Sequence, residues 1–134
     1  MTLRTIFGIH GVITCAAAVV LVVAPSFIPG TVGIRIGPGA YLLCYLLAAM
    51  ELACAVLSWG ARTISDARAL RLIVCSFIVM HVASGLLEVY AFLTGLSAAI
   101  WGNVAVRVVA VGVFAYFGFP RTRRRTAASH FSAE

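Results

Sequence analysis

The chain has 134 residues, 63% of them hydrophobic and 10% charged. A soluble domain averages about 25% charged and 45–50% apolar, and one this small has too little interior to hide such an apolar surplus, so one compact membrane domain is expected. The net charge of +6 comes from ten arginines against four acids; these arginines flank apolar runs without interleaved aromatic residues, so they read as membrane-orienting charges and no nucleic-acid partner is expected.

A membrane-crossing helix needs about 20 mostly apolar residues, and the chain offers four such runs. The first predicted span covers 6–23 and stops before "APSFIPG". Arg4 ahead of an apolar run that ends in "VVA" also fits a cleaved signal peptide. The length of the run, and the odd number of spans left by its removal, favour a retained helix. The second span covers 40–59, after "PSFIPGTVGIRIGPG". The third covers 70–94, after "GARTISDAR", and the fourth covers 98–119, after a tight "GLS". Short links make consecutive helices antiparallel neighbours. The predicted fold is therefore all-α, a four-transmembrane-helix bundle over 1–120 with a basic tail at 121–134.

Arginine position sets the expected topology. Arg4, then Arg62, Arg68 and Arg71, then Arg121, Arg123, Arg124 and Arg125 fall on one side, and Arg35 falls on the other. The positive-inside rule then puts both termini in the cytoplasm of a multi-pass cell-membrane protein. Cys15, Cys44, Cys54 and Cys75 sit in apolar runs with no C-x-x-C pair, so they read as small buried hydrophobes rather than metal or redox ligands.

Within the spans the polar residues are few: His10, Glu51, His81, Glu88, Asn103 and Arg107. Such residues are costly in a bilayer and face the bundle interior. His81, Ser84, Gly85 and Glu88 follow the i, i+3, i+4, i+7 stripe of one helical face. Cys44, Leu47, Ala48 and Glu51 share that spacing, Tyr41 extends it by a turn, and Asn103 and Arg107 are four apart. Counting about 1.5 Å per residue puts Glu51 and His81 near mid-membrane, Glu88, Asn103 and Arg107 above them, and His10 near the inner surface. Glu88 and Arg107 also fit a purely structural ion pair, in which removing either charge strands the other.

Three functions fit this polar column. The first is an intramembrane enzyme in which Glu51, His81, Glu88 and Arg107 are catalytic. A protonated Glu51 beside His81 would form a general acid/base pair, with Glu88 held ionised by Arg107. Tyr41, Tyr45, Ser84, Trp101 and Asn103 would contact a lipophilic substrate undergoing isomerisation, cyclisation or epoxide opening, such as a terpenoid, sterol or polyketide. The second is a proton-coupled carrier working as a homodimer around Glu51. The third is a non-catalytic scaffold for other membrane enzymes. Haem held by His10 and His81 is disfavoured by a depth offset of about 8–10 Å. No metal or cofactor is expected, since no P-loop, dinucleotide or zinc motif is present.

Overall fold

The computed structural model describes residues 1–119, and all regular structure in them is helical. Helix α1 (Leu3–Val23) begins at Thr2, whose hydroxyl accepts the Thr5 N–H at 3.3 Å. This satisfies one of the amide donors that every helix start leaves free. A five-residue helix, α2 (Phe27–Thr31), lies in the connection that the sequence suggested was a plain loop. A 3-10 turn with Pro38 in its first position leads into α3 (Tyr41–Ala61). Helix α4 (Ala67–Leu93) is capped by Asp66, whose carboxylate accepts the Ala69 N–H at 2.7 Å. The chain reverses through Gly95 at φ +108°, a conformation that favours glycine, and a second 3-10 turn feeds α5 (Trp101–Gly118).

Four helices are long and apolar enough to cross a membrane, and their bounds lie within about three residues of the predicted spans. The arginine-rich part of the tail lies outside the described residues. Of the cysteines, Cys44 is buried, Cys15 and Cys54 are half-buried and Cys75 is exposed, so the expectation of four buried thiols is corrected for Cys75. Large apolar side chains cover the outside, among them Leu72, Leu87, Leu93 and Val109. Such a surface suits a hydrocarbon solvent, and a helix satisfies its own backbone there.

The bundle consists of two tightly packed pairs, α1 with α3 and α4 with α5. One cluster ties all four helices together: Ile6 and Phe7 of α1, Ala61 of α3, Ile73, Val74 and Phe77 of α4, and Phe114 of α5. The rings of Phe7, Phe77 and Phe114 interlock at centroid distances of 5.3–6.2 Å. Gly118 lets α5 close on α4, since a Cβ there would sit 2.5 Å from a methyl of Val74. Leu3, Ile64 and Leu70 pack against the same cluster, so the N-terminus and the 62–66 connection share one end of the bundle with Arg4, Arg62, Arg68 and Arg71. At the opposite end, a second cluster of Ala18, Leu21, Cys44 and Ala48 belongs to α1 and α3 alone. There the two pairs meet through their connections, where Gly33 lies against Ser97.

Candidate functional site

A chain of polar side chains crosses the bundle above the phenylalanine cluster. His10 on α1 is buried, and its Nδ1 lies 2.8 Å from the Ser58 Oγ on α3. Its Nε2 lies 3.3 Å from the Nε2 of His81 on α4. His81 Nδ1 is in turn 3.4 Å from the Arg107 Nη1 on α5. Arg107 also donates from Nε and Nη2 to the same oxygen of Glu88, Oε1, each at 3.4 Å. Side chains from α1, α3, α4 and α5 are thus joined in the order Ser58, His10, His81, Arg107, Glu88.

The phenylalanine rings position both imidazoles. His10 packs 4.6 Å from Phe77 and 5.2 Å from Phe114, and His81 stacks on Phe114 at 6.3 Å and 22°. The polar chain therefore rests directly on the most tightly packed part of the molecule.

Hydrogen-bond chemistry gives the chain a direction. A guanidinium has only donors, so His81 Nδ1 accepts from Arg107 and the His81 proton resides on Nε2. That proton is donated to His10 Nε2, which leaves the His10 proton on Nδ1, facing Ser58. The ion pair is not a two-oxygen fork of the kind that gives arginine–carboxylate pairs their strength. Both guanidinium nitrogens share Oε1, and Oε2 is buried without a hydrogen-bond partner. A buried acceptor in that state has unmet hydrogen-bonding capacity.

The placement of His10 corrects the depth expectation. His10 and His81 are in contact, Nε2 to Nε2 at 3.3 Å, rather than about 8–10 Å apart in height. Leu3 of α1 and Leu70 of α4 pack against the same cluster, and α1 begins at Leu3 rather than Ile6, which carries His10 about 4.5 Å further along its helix than counted. At 27 residues, α4 is about 40 Å long, more than the roughly 30 Å hydrocarbon layer requires. Nitrogens 3.3 Å apart on rings at 89° leave no room for a macrocycle between them. Among the described residues no group of three or more His, Cys, Asp or Glu could hold a metal ion.

The remaining sequence-selected residues are placed as follows. Glu51 is half-buried and makes no hydrogen bond among the described residues, though it lies within electrostatic range of Arg107. It is therefore not hydrogen-bonded to His81. Ser84 and Asn103 are half-buried, and neither side chain has a hydrogen bond. Tyr41 is half-buried, while Tyr45 and Trp101 are exposed, Trp101 lying edge-on to Phe92 at 5.5 Å. Ser58, fully buried, was missed in the sequence. It continues the stripe of Cys44, Ala48, Glu51 and Ala55 by one more step, so its face was readable.

A groove of about 310 Å³ runs between α4 and α5. Its walls are mainly aliphatic, with Leu86, Val104 and Val108 among them, and its only polar side chains belong to His81 and Arg107. Gly85 keeps it open, since an added Cβ would come within 3.6 Å of the Arg107 side chain. Glu51, Glu88, Tyr41, Tyr45, Ser84, Trp101 and Asn103 are not among its lining residues. Compared with known protein families, curated proteins and solved structures, the chain finds no match.

Proposed function

We propose that this is an integral-membrane enzyme that moves protons on a lipophilic substrate admitted sideways from the bilayer between α4 and α5. The observation that carries this reading is the aliphatic groove whose only polar groups are His81 and Arg107. An oxygen-bearing hydrocarbon such as a terpenoid, sterol or polyketide would lie along the valines and leucines with its oxygen toward the guanidinium. Arg107 then stabilises negative charge developing on a carbonyl or epoxide oxygen. His81 serves as general acid/base, exchanging one of its two long hydrogen bonds for a bond to the substrate. In an isomerisation the balance closes without a co-reactant: the proton that His81 takes from one carbon returns to another.

In this reading His81 works with Arg107, its hydrogen-bond neighbour, in place of the Glu51–His81 acid/base pair expected from the sequence. Glu51 also supports a second reading. A half-buried carboxyl without a hydrogen bond can bind a proton or a cation, as a proton-coupled homodimeric carrier requires. The two readings separate when purified protein is incubated in deuterated water with lipid extracts of its own cells. Catalysis gives deuterium incorporation or an isomeric product that falls about 10²–10⁴-fold in His81→Gln. Equal conversion by wild type and His81→Gln would rule out His81 as the acid/base, and pH-dependent binding without conversion would establish the carrier.

The orientation proposed with this function puts both termini in the cytoplasm, following the arginines. A cysteine at Thr31 should react with an impermeant thiol reagent on intact cells and one at Ser65 should not. The inverse labelling pattern would reverse the orientation.

A further inference from the structure

A second groove, lined by no member of the polar chain, lies between α1 and α3 at the arginine-rich end. We infer that it is a binding site for one anionic phospholipid, with Arg4 and Arg62 holding the phosphodiester and α1 receiving the first part of an acyl chain.

The groove measures about 530 Å³, and Arg4 and Arg62 reach it from different helices. Among the described residues, Arg107 is the one arginine in an ion pair, and no acid among them neutralises Arg4 or Arg62. Two guanidinia at one opening attract an anion, and their planar forks suit phosphate oxygens. Gly8 forms the surface beneath Arg62, since a Cβ built there would sit 3.6 Å from the guanidinium carbon.

The rest of the groove is apolar and selects a lipid over a soluble phosphate. Ile9 and Ile13 line it on α1 and are 48% and 59% exposed, more than a bundle interior would allow. From Thr5 to Ile13 the groove follows about 12 Å of helix, leading from the charged opening toward the middle of the bundle. Trp59 forms the facing wall. Its indole lies against Gly11, where an added Cβ would be 2.6 Å from the ring nitrogen. That N–H has no acceptor among the described residues. Tryptophan at the boundary of headgroup and hydrocarbon is the usual amphipathic placement. In the orientation proposed above, the groove opens in the cytoplasmic leaflet, where anionic lipids concentrate.

The test is native mass spectrometry of the detergent-purified full chain with phosphatidylglycerol, phosphatidylcholine or glycerol phosphate. One retained phosphatidylglycerol is expected, with neither of the others held. Arg4→Gln combined with Arg62→Gln should weaken binding about 30-fold, the effect of two charges at an anionic interface. Arg68→Gln with Arg71→Gln removes the same charge from exposed positions on α4 outside the groove and should leave binding unchanged. Equal loss in both double variants would show diffuse electrostatic attraction and overturn the site, as would equal retention of phosphatidylcholine. A second readout guards against misfolding. In Trp101→Phe, with Trp59 as the remaining tryptophan, brominated phosphatidylglycerol should quench fluorescence more strongly than brominated phosphatidylcholine. Equal quenching by the two lipids also overturns the proposal.

Discussion

The end of the bundle near the arginines and the level just above it are built on different terms. Below His81, all four long helices meet around Phe7, Phe77 and Phe114, and Gly118 closes on Val74 without a gap. Above it, no apolar cluster joins the two helix pairs. Ala18, Leu21, Cys44 and Ala48 serve α1 and α3 alone, while α4 and α5 carry Glu88, Arg107 and the half-buried Ser84 and Asn103. Lipid tails are as apolar as leucine, so helices in a bilayer gain little from hiding apolar surface and depend on close packing and hydrogen bonds. The lower half uses the first means and the upper half the second. Groups that must meet a ligand belong in the half that is less tightly packed. The histidines sit at the boundary, held by rings from below and open to the groove above.

The largest expected effect attacks the upper half. Arg107→Gln removes the cation paired with Glu88, and leaving one member of a buried pair alone costs about 3–5 kcal/mol. Because Arg107 keeps 28% of its side chain exposed, the lower end of that range applies. Glu88→Gln in the same chain should recover part of the loss, which thermal or denaturant unfolding in detergent would measure. Strictly additive losses would mean that the upper half does not rely on this pair.

An intermediate effect compares the halves through two glycines. Gly118→Ala puts a methyl against the fully buried Val74, a stiff side chain with nowhere to turn. Overpacking of this kind costs about 1–3 kcal/mol. Gly85→Ala meets Arg107 at an ordinary 3.6 Å and should change stability by less than about 0.5 kcal/mol, while narrowing the groove between α4 and α5. Equal costs at the two positions would erase the distinction in packing.

The difference between the halves also explains what could be read from the sequence. The upper half is legible because its signal is polarity against an apolar background. The stripe from His81 to Glu88 and the matching height of Arg107 predict residues that do come together. The lower half is not legible, because Phe7, Phe77 and Phe114 are apolar residues among apolar residues. A span that is hydrophobic on all sides gives no periodicity to show which ring points inward. His10 was misplaced for a related reason. Depth counted from Ile6 starts too late, because α1 begins at Leu3 and His10 lies most of a turn further along it. Ser58 stood on a readable face, but a lone serine near a helix end carries no mark of the histidine it meets. The connection between Glu51 and the chain is electrostatic rather than a hydrogen bond, and no spacing rule distinguishes the two.

The smallest expected effect concerns the boundary itself. Ser58→Ala deletes one interhelical hydrogen bond, and such bonds within membranes average about 0.6 kcal/mol. Stability should therefore hardly move, yet the state of the histidines should. In the wild type Arg107 imposes acceptance on His81 Nδ1, so nitrogen-15 NMR should find the protons on His81 Nε2 and His10 Nδ1. Ser58→Ala removes the acceptor facing His10 Nδ1 at 2.8 Å while leaving the Arg107 end untouched. The His10 signal should then broaden or shift, and the His81 tautomer should persist. Arg107→Gln should act the other way, releasing His81 first, because glutamine can both donate and accept. A wild-type His81 protonated on Nδ1 would show that the contact with Arg107 is not a hydrogen bond. The direction of the chain, and the positioning of His81 by Arg107, would then both be lost.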